Sequence, residues 1–321
     1  MKTILISALL LLISLTSCKD KKGITLQESA GRINHIVIVI ENDLWKGVIG
    51  DSLREIIAAP ILGLPQEETQ FSINQVSPKK FSRIFQKYRN ILLVGISDNE
   101  GFSVKKNIYA KPQITLNLLG KDSNSLLKLI GEHQEDIISV FKNSDIKILQ
   151  KKITKKHYNT DSLKTFKKLN VQLKVPENYA LVDDTNDFLW FRQDIPKGSM
   201  NIIVYALPLQ DKDSIVNNIV EARNAIGKKY IPGQFDDTHM ITEAAYTPFT
   251  KETQIDGKMA FETKGKWEVK GDFMAGPFLN YTVIDKTNNR LIVVEGFTFA
   301  PSVKKRDYMF ELEAILKTLK I

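Results

Sequence analysis

His35-Ile36-Val37-Ile38-Val39-Ile40 decides the fold, because five β-branched apolar residues follow one another without a polar interruption. The run is strand length and shows no in-out alternation, so it predicts a central strand buried on both faces. Working toward the C-terminus, Trp45 lies in a loop with Gly47 and Gly50. Residues 52–59 then read as a short helix stopped by Pro60. Residues 71–76 form the next strand, Ser77-Pro78 offers the N-cap and first turn of a helix, and 91–96 is a second buried strand. This βαβαβ order predicts parallel neighbours joined by crossover helices. Strands over 104–110 and 113–118 and a long helix from Ser123 onward, apolar at 126, 127, 130, 137, 138 and 141, complete this half.

The second half reads differently. Strands are expected over 171–175, 179–182, 187–192 and 201–207, then a helix over 212–229. Further strands follow over 241–246, 258–263, 266–270, 278–284 and 290–298, the last two joined by the polar turn Asp285-Lys286-Thr287-Asn288-Asn289, and a helix over 305–319 closes the sequence. The predicted class is α/β (α+β), with an N-terminal mixed sheet carrying crossover helices and a C-terminal, largely antiparallel sheet with packed helices. The expected divisions are 1–17, 18–33, 34–158 and 159–321. With 321 residues, 43% hydrophobic and 26% charged, the chain has the composition of a folded protein rather than a disordered one.

Upstream of the opening strand, Lys2 precedes an apolar run over 4–15 that ends in Leu15-Thr16-Ser17-Cys18. About 12 apolar residues suit a signal peptide, whereas about 20 are needed to span a bilayer. The four residues ending at Cys18 resemble the bacterial lipobox, which implies cleavage before Cys18 and lipidation of its thiol. Cys18 is also the one cysteine in the sequence, which leaves no other thiolate for catalysis or metal binding. Two or three acyl chains make a lasting anchor, so membrane attachment through Cys18 is expected. Lys19 in place of Asp resembles the sorting signal for the outer membrane, with periplasmic and cell-surface faces both open. Residues 18–33 are expected to be a tether.

Several short segments together resemble landmarks of a family. They are Trp45 with Gly47 and Gly50, Leu62-Gly63-Leu64-Pro65-Gln66, Arg89-Asn90-Ile91-Leu92, Val175-Pro176-Glu177-Asn178-Tyr179, Gly276-Pro277-Phe278 and Phe299-Ala300-Pro301. The family is an uncharacterised lipoprotein family of Bacteroidetes-type bacteria, a domain of unknown function. The resemblance implies a lipoprotein and carries no activity, cofactor or catalytic residue. In element order the second half also resembles the small α/β/α sandwiches of the PsbP and Mog1 type, which mostly bind.

Catalytic signatures are few. The sequence contains no Gly-x-Ser-x-Gly, no Gly-x-Gly-x-x-Gly, no phosphate-binding Gly-Lys-Ser/Thr loop and no His-Glu-x-x-His. His35, His133, His157 and His239 are far apart, and only Asp236-Asp237-Thr238-His239 gathers metal-type ligands, a pattern equally found in solvated loops. Asp183, Asp184 and Asp187 offer carboxylates for acid-base work or for turn chemistry, with the turn favoured. Phe188 and Trp190 share one strand face, read as core before ligand platform. Trp45 is the candidate pocket residue, at the carboxyl end of the first strand where open α/β sheets take ligands. No catalytic residue, metal ligand or cofactor is assigned.

Charge is localised. Residues 142–174 hold ten lysines against Asp145 and Asp161, a local charge equal to the +8 of the whole chain. This is one basic region rather than a generally basic nucleic-acid binder. Lys151, Lys152, Lys155 and Lys156 form its densest part. Two readings stand: a solvated helix face, or contact with anionic lipid or an acidic envelope partner. The function expected is that of an outer-membrane-anchored, non-enzymatic binding or envelope-assembly factor. The rival is a hydrolase working through the carboxylates near Asp183 or Asp236.

Overall fold

The computed structural model describes residues 26–321. The expected signal peptide and Cys18 lie outside the described residues. Within the range expected as a tether, strand β1 (Gln27–Glu28) pairs with β6 (Ala110–Lys111) and Ala30 bridges Tyr88, so residues 27–30 belong to the folded body.

The opening run forms β2 (His35–Val39). It is followed by helices α1 (Asn42–Lys46) and α2 (Val48–Ile57), β3 (Ser72–Val76), a 3-10 turn at Pro78–Lys80, α3 (Arg83–Gln86), β4 (Asn90–Ile96), β5 (Gly101–Lys106) and β7 (Ile114–Gly120). The sheet order is β3-β2-β4-β7-β5, with β2, β3, β4 and β7 parallel and β5 antiparallel at the edge. As the apolar run predicts, β2 is buried on both sides. Ile36, Ile38 and Ile40 face Leu53 and Ile57 of α2, Leu126 and Ile130 of α4 (Ser123–Glu132), and Phe141 of α5 (Gln134–Lys155). Val37 and Val39 face Phe81, Phe85 and Tyr88.

Asp145, in mid-α5, ties that helix to the amino ends of the strands. It accepts from Asn34 N at 2.9 Å, Asn90 Nδ2 at 3.1 Å and Arg89 Nη1 at 3.3 Å, which gives the Arg89-Asn90 pair a structural role. Burial nevertheless pushes the Asp145 carboxyl above its ordinary pKa.

After α6 (Lys164–Leu169) come β8 (Ala180–Asp184), β9 (Phe188–Ile195), β10 (Gly198–Pro208), α7 (Lys212–Tyr230), β11 (His239–Thr242), β12 (Phe249–Ile255), β13 (Lys258–Lys270), β14 (Ala275–Asp285), β15 (Arg290–Phe299) and α8 (Arg306–Leu316). The sheet is antiparallel, in order β11-β13-β14-β15-β10-β9-β8, with β12 pairing on β13 beyond the end of β11. Strand alternation separates its two faces. Ile202, Val204, Tyr281 and Val294 pack on Leu312, Ile315 and Leu316 of α8, while Ile203, Tyr205 and Val293 lie on the side of α7. The α+β class is thus found.

Several expected elements differ. The helix from Ser123 breaks at His133, whose φ of −111° and ψ of 17° leave helical geometry, so α4 and α5 are separate. Residues 171–175 do not join a sheet. Val171, Leu173 and Val175 are buried in the core on the α8 side, and Gln172 bridges only Lys320. The helix expected after Ser77 is cut short because Ser82 is extended, with φ −98° and ψ 178°. The two strands expected over 258–270 are one, held through Lys264-Gly265-Lys266 by β14. Strand β12 has no counterpart in the sequence reading, because its mostly exposed Thr-Lys-Glu-Thr-Gln stretch carries no apolar alternation.

Candidate functional site

The loop between α2 and β3 leaves the first sheet and touches the second. Its stem is closed by Ile61 N donating to Glu68 O and Gln70 N donating to Ala59 O, both at 2.9 Å. At its tip Gly63 N donates to the Tyr246 hydroxyl at 2.9 Å. Gly63 has φ +85°, and a side chain there would begin 3.1 Å from Gly265 N of β13, so glycine suits both the turn and the approach. Farther along the loop, Glu68 accepts from Lys305 N at 2.6 Å and Arg306 N at 3.2 Å, capping the first turn of α8 across the junction. Arg306 reaches back to Thr69 O at 3.1 Å and Ser72 Oγ at 3.2 Å.

This docking leaves a cavity of about 240 Å³ between the two sheets. Loop residues 60–64 and Phe71 form one wall, and Pro277, Phe278, Leu279, Met309 and Phe310 form another. Two of the landmark segments, Leu62-Gly63-Leu64 and Pro277-Phe278, therefore meet at one place. Leu62 and Phe249, 50% and 45% exposed, mark the mouth.

Charged groups gather at the inner end. Glu313 of α8 is buried and pairs with Lys142 of α5 at 2.9 Å and with Lys317 at 2.6 Å. Glu262 of β13, also buried, lies 3.2 Å from Lys264 and 3.5 Å from Lys251, and accepts from the Tyr281 hydroxyl at 2.7 Å. Burial opposes both carboxylates, but the lysines outweigh it and hold both below their ordinary pKa values. Burial likewise opposes the charge of Lys142, which Glu313 more than restores, raising its pKa. Lys264 is lowered, first by burial and then by the nearby Lys142. Lys142, Lys251, Lys264 and Glu313 all line the cavity.

The residues singled out from sequence lie elsewhere. Trp45 is in α1 rather than a loop; Arg54 covers its ring at 4.4 Å and donates to its carbonyl at 3.2 Å. Gly50 is needed beneath it, since a Cβ there would meet Trp45 O. The cavity is accordingly at the amino ends of β2 and β3, beside Asn34 and Phe71, and not at the carboxyl end where Trp45 sits. Asp184 caps α6, accepting from Lys164 N at 2.7 Å, Thr165 N at 2.8 Å and Thr165 Oγ1 at 2.7 Å, while Asp187 pairs with Lys168 at 2.5 Å. Phe188 is buried against Tyr230, and Trp190 Nε1 donates to Asn201 Oδ1, so both serve the core. His133, at the break between α4 and α5, stacks on Phe102 at 4.2 Å and lies 2.9 Å from Asp136. Asp237 occupies a left-handed turn before β11, and among the described residues no three His, Cys, Asp or Glu side chains converge as metal ligands.

The basic region does not form one face. Lys142 is turned inward at the cavity, and Lys168 is paired with Asp187. Lys151, Lys152, Lys155 and Lys156 are exposed at the carboxyl end of α5, where the helix dipole favours cations, and of these Lys156 pairs with Glu177 at 3.2 Å. Next to them in the chain, His157 borders an open depression with Lys167, Lys174 and Lys320.

Lys251, Glu262, Lys264 and Glu313 were not singled out by the sequence reading. A signal existed for two of them: Glu313 interrupts the apolar stretch Leu312 to Leu316, and Glu262 falls inside the strand expected over 258–263.

No curated protein matches the chain. Among solved structures, the Ran-binding protein Mog1p of Saccharomyces cerevisiae is 8% identical with a TM-score of 0.32, covering 47% of this chain and 89% of that one. LpqN of Mycobacterium tuberculosis, involved in cell envelope biogenesis, is 11% identical with a TM-score of 0.29, covering 47% and 83%. A STAR-related lipid transfer protein from Xanthomonas axonopodis is 11% identical with a TM-score of 0.24, covering 44% and 96%. Overlaps this loose assign no function. Two family models match, Domain of unknown function (DUF8532) over residues 29–154 and Domain of unknown function (DUF4837) over residues 157–318. The second spans half the sequence, and the chain belongs to the DUF4837 family.

Proposed function

We propose that this protein is a non-enzymatic binding factor of the bacterial envelope, held at the outer membrane by lipids on Cys18, which takes a small ligand into the cavity between its two sheets. The observation that carries this reading is the cavity itself: about 240 Å³, apolar on its walls and charged at its inner end. Of the carboxylates considered for hydrolysis, Asp184 caps a helix and Asp187 is spent on an ion pair, and among the described residues no three His, Cys, Asp or Glu side chains converge near Asp236. The exposed lysines 151, 152, 155 and 156 would add attraction to anionic head groups or an acidic envelope partner, each contributing up to about 1 kcal/mol at a membrane surface.

The test is to extract the native protein, denature it and identify by mass spectrometry any small molecule it releases. A ligand is expected from the wild type and much less from Met309→Trp, which fills the cavity without touching its charges. Equal recovery from both would refute the reading. Metabolic labelling with palmitate addresses the anchor separately: Cys18→Ala is expected to carry no label, and a labelled variant would remove the anchor from the account.

A further inference from the structure

The charged cluster at the inner end of the cavity is not balanced. Lys142, Lys251 and Lys264 line the cavity and, with Lys317 on the far side of Glu313, face only Glu262 and Glu313, a surplus of two positive charges, of which Lys251 is still half in water. Each glutamate is already shared by two lysines, so neither carboxylate has a further charge to offer. Lys142 and Lys264 are the two largely withdrawn from water, each sharing its carboxylate with another lysine, so a group that supplies negative charge between them is bound preferentially. The lowered pKa of Lys264 has the same origin, burial beside another lysine. A cationic ligand would add to the surplus, and a neutral one would leave it uncompensated.

The rest of the cavity excludes a bare inorganic anion as the best fit. Phe278, Met309 and Phe310 offer hydrocarbon and aromatic surface, and the path out passes Leu62 and Phe249. At roughly 30 Å³ per water, the enclosed space holds about eight waters' worth of ligand, enough for a charged head and the first part of an apolar body. We propose that the cavity binds an amphipathic anion, a carboxylate or phosphate head on a hydrocarbon body, with the head between Lys142 and Lys264 and the body leaving between Leu62 and Phe249. This rests on the binding reading above and gives it a ligand class.

The test uses the full chain in nanodiscs of zwitterionic lipid, titrated calorimetrically with octanoate, octyl phosphate, octanol and inorganic phosphate against empty nanodiscs. Octanoate or octyl phosphate is expected to bind at least about tenfold more tightly than octanol or inorganic phosphate, the effect of one charge-assisted hydrogen bond or one apolar contact set. Whichever of the two anions binds better tells a fatty-acid-type source from a phosphate-headed one. Lys264→Met is expected to weaken that binding about tenfold or more. Should it fail to fold, Lys251→Gln, at the half-exposed Lys251, is expected to weaken binding severalfold, and Phe249→Ser is expected to narrow the margin over inorganic phosphate. Equal binding of octanol and octanoate, no binding of either anion, or unchanged binding in the lysine variants would overturn the assignment. A neutral ligand recovered from native protein and excluded by Met309→Trp would leave the binding reading standing and remove the anion.

Discussion

Glu68 joins the two halves at a point where its removal has a calculable cost. The residue is 7% exposed, and its carboxylate accepts from Lys305 N and Arg306 N at the start of the 11-residue helix α8. Loss of an N-terminal cap costs roughly 0.5–2 kcal/mol, and a partly buried charge at a helix end contributes up to about 2 kcal/mol more. Glu68→Ala is therefore expected to cost about 2–4 kcal/mol, which in a chain of this size lowers Tm by roughly 3–6 °C. Glu68→Gln keeps an acceptor but loses the charge, and its cost is expected to fall between wild type and alanine. Scanning calorimetry gives the order of the three proteins. Hydrogen exchange supplies the local readout, because the amides of Lys305 and Arg306 should lose protection before those of β14. A Glu68→Ala protein melting within about 1 °C of wild type, with both amides still protected, would refute the account of how the halves are joined.

Arg223→Met leaves Glu295 buried with only Asn280 Nδ2 to donate to it, at 2.9 Å, so a loss of about 3–5 kcal/mol is expected by denaturant titration, and Arg223→Met with Glu295→Met is expected to recover much of it. The pKa values of Glu262 and Glu313 are depressed in the fold, so their contribution is complete above their unfolded value near 4.5 and is lost as pH falls below it. Asp145, raised, works in the opposite sense. Tm is therefore expected to drop as pH falls below about 4.5, and Glu313→Gln to melt lower at pH 7 but show a shallower acid decline. Soluble Cys18→Ala protein should sediment with anionic vesicles at low salt and less so when Lys151, Lys152, Lys155 and Lys156 are all glutamine; equal sedimentation of both would make those lysines a solvated face.

The first sheet was legible because burial on both faces writes an uninterrupted apolar run, as in 36–40, and the strand over Ile202 to Tyr205 in the second for the same reason, its successive residues facing α8 and α7 in turn. Strand β12 was not, since an edge strand needs only one partner and tolerates polar residues on most of its length. The cavity was illegible for a different reason. Its lysines lie at 142, 251 and 264, and each by itself reads as a solvated charge. Only the docking of loop 60–64 on β13 and of α5 on α8 brings them to one cavity. Lys142 was counted in the basic surface because helical spacing does not say which neighbour a polar residue meets. Trp45 drew attention as a large aromatic at the carboxyl end of a parallel strand, but Arg54, in the next helix, covers it.

If the cavity between the sheets holds a ligand, crystallography of protein purified from its own envelope will show it. The account predicts electron density for an elongated molecule with one end within hydrogen-bonding distance of the Lys142 and Lys264 ammonium groups and the other near Leu62 and Phe249. A cavity filled only by ordered water, in protein shown by mass spectrometry to carry a ligand bound elsewhere, would contradict it.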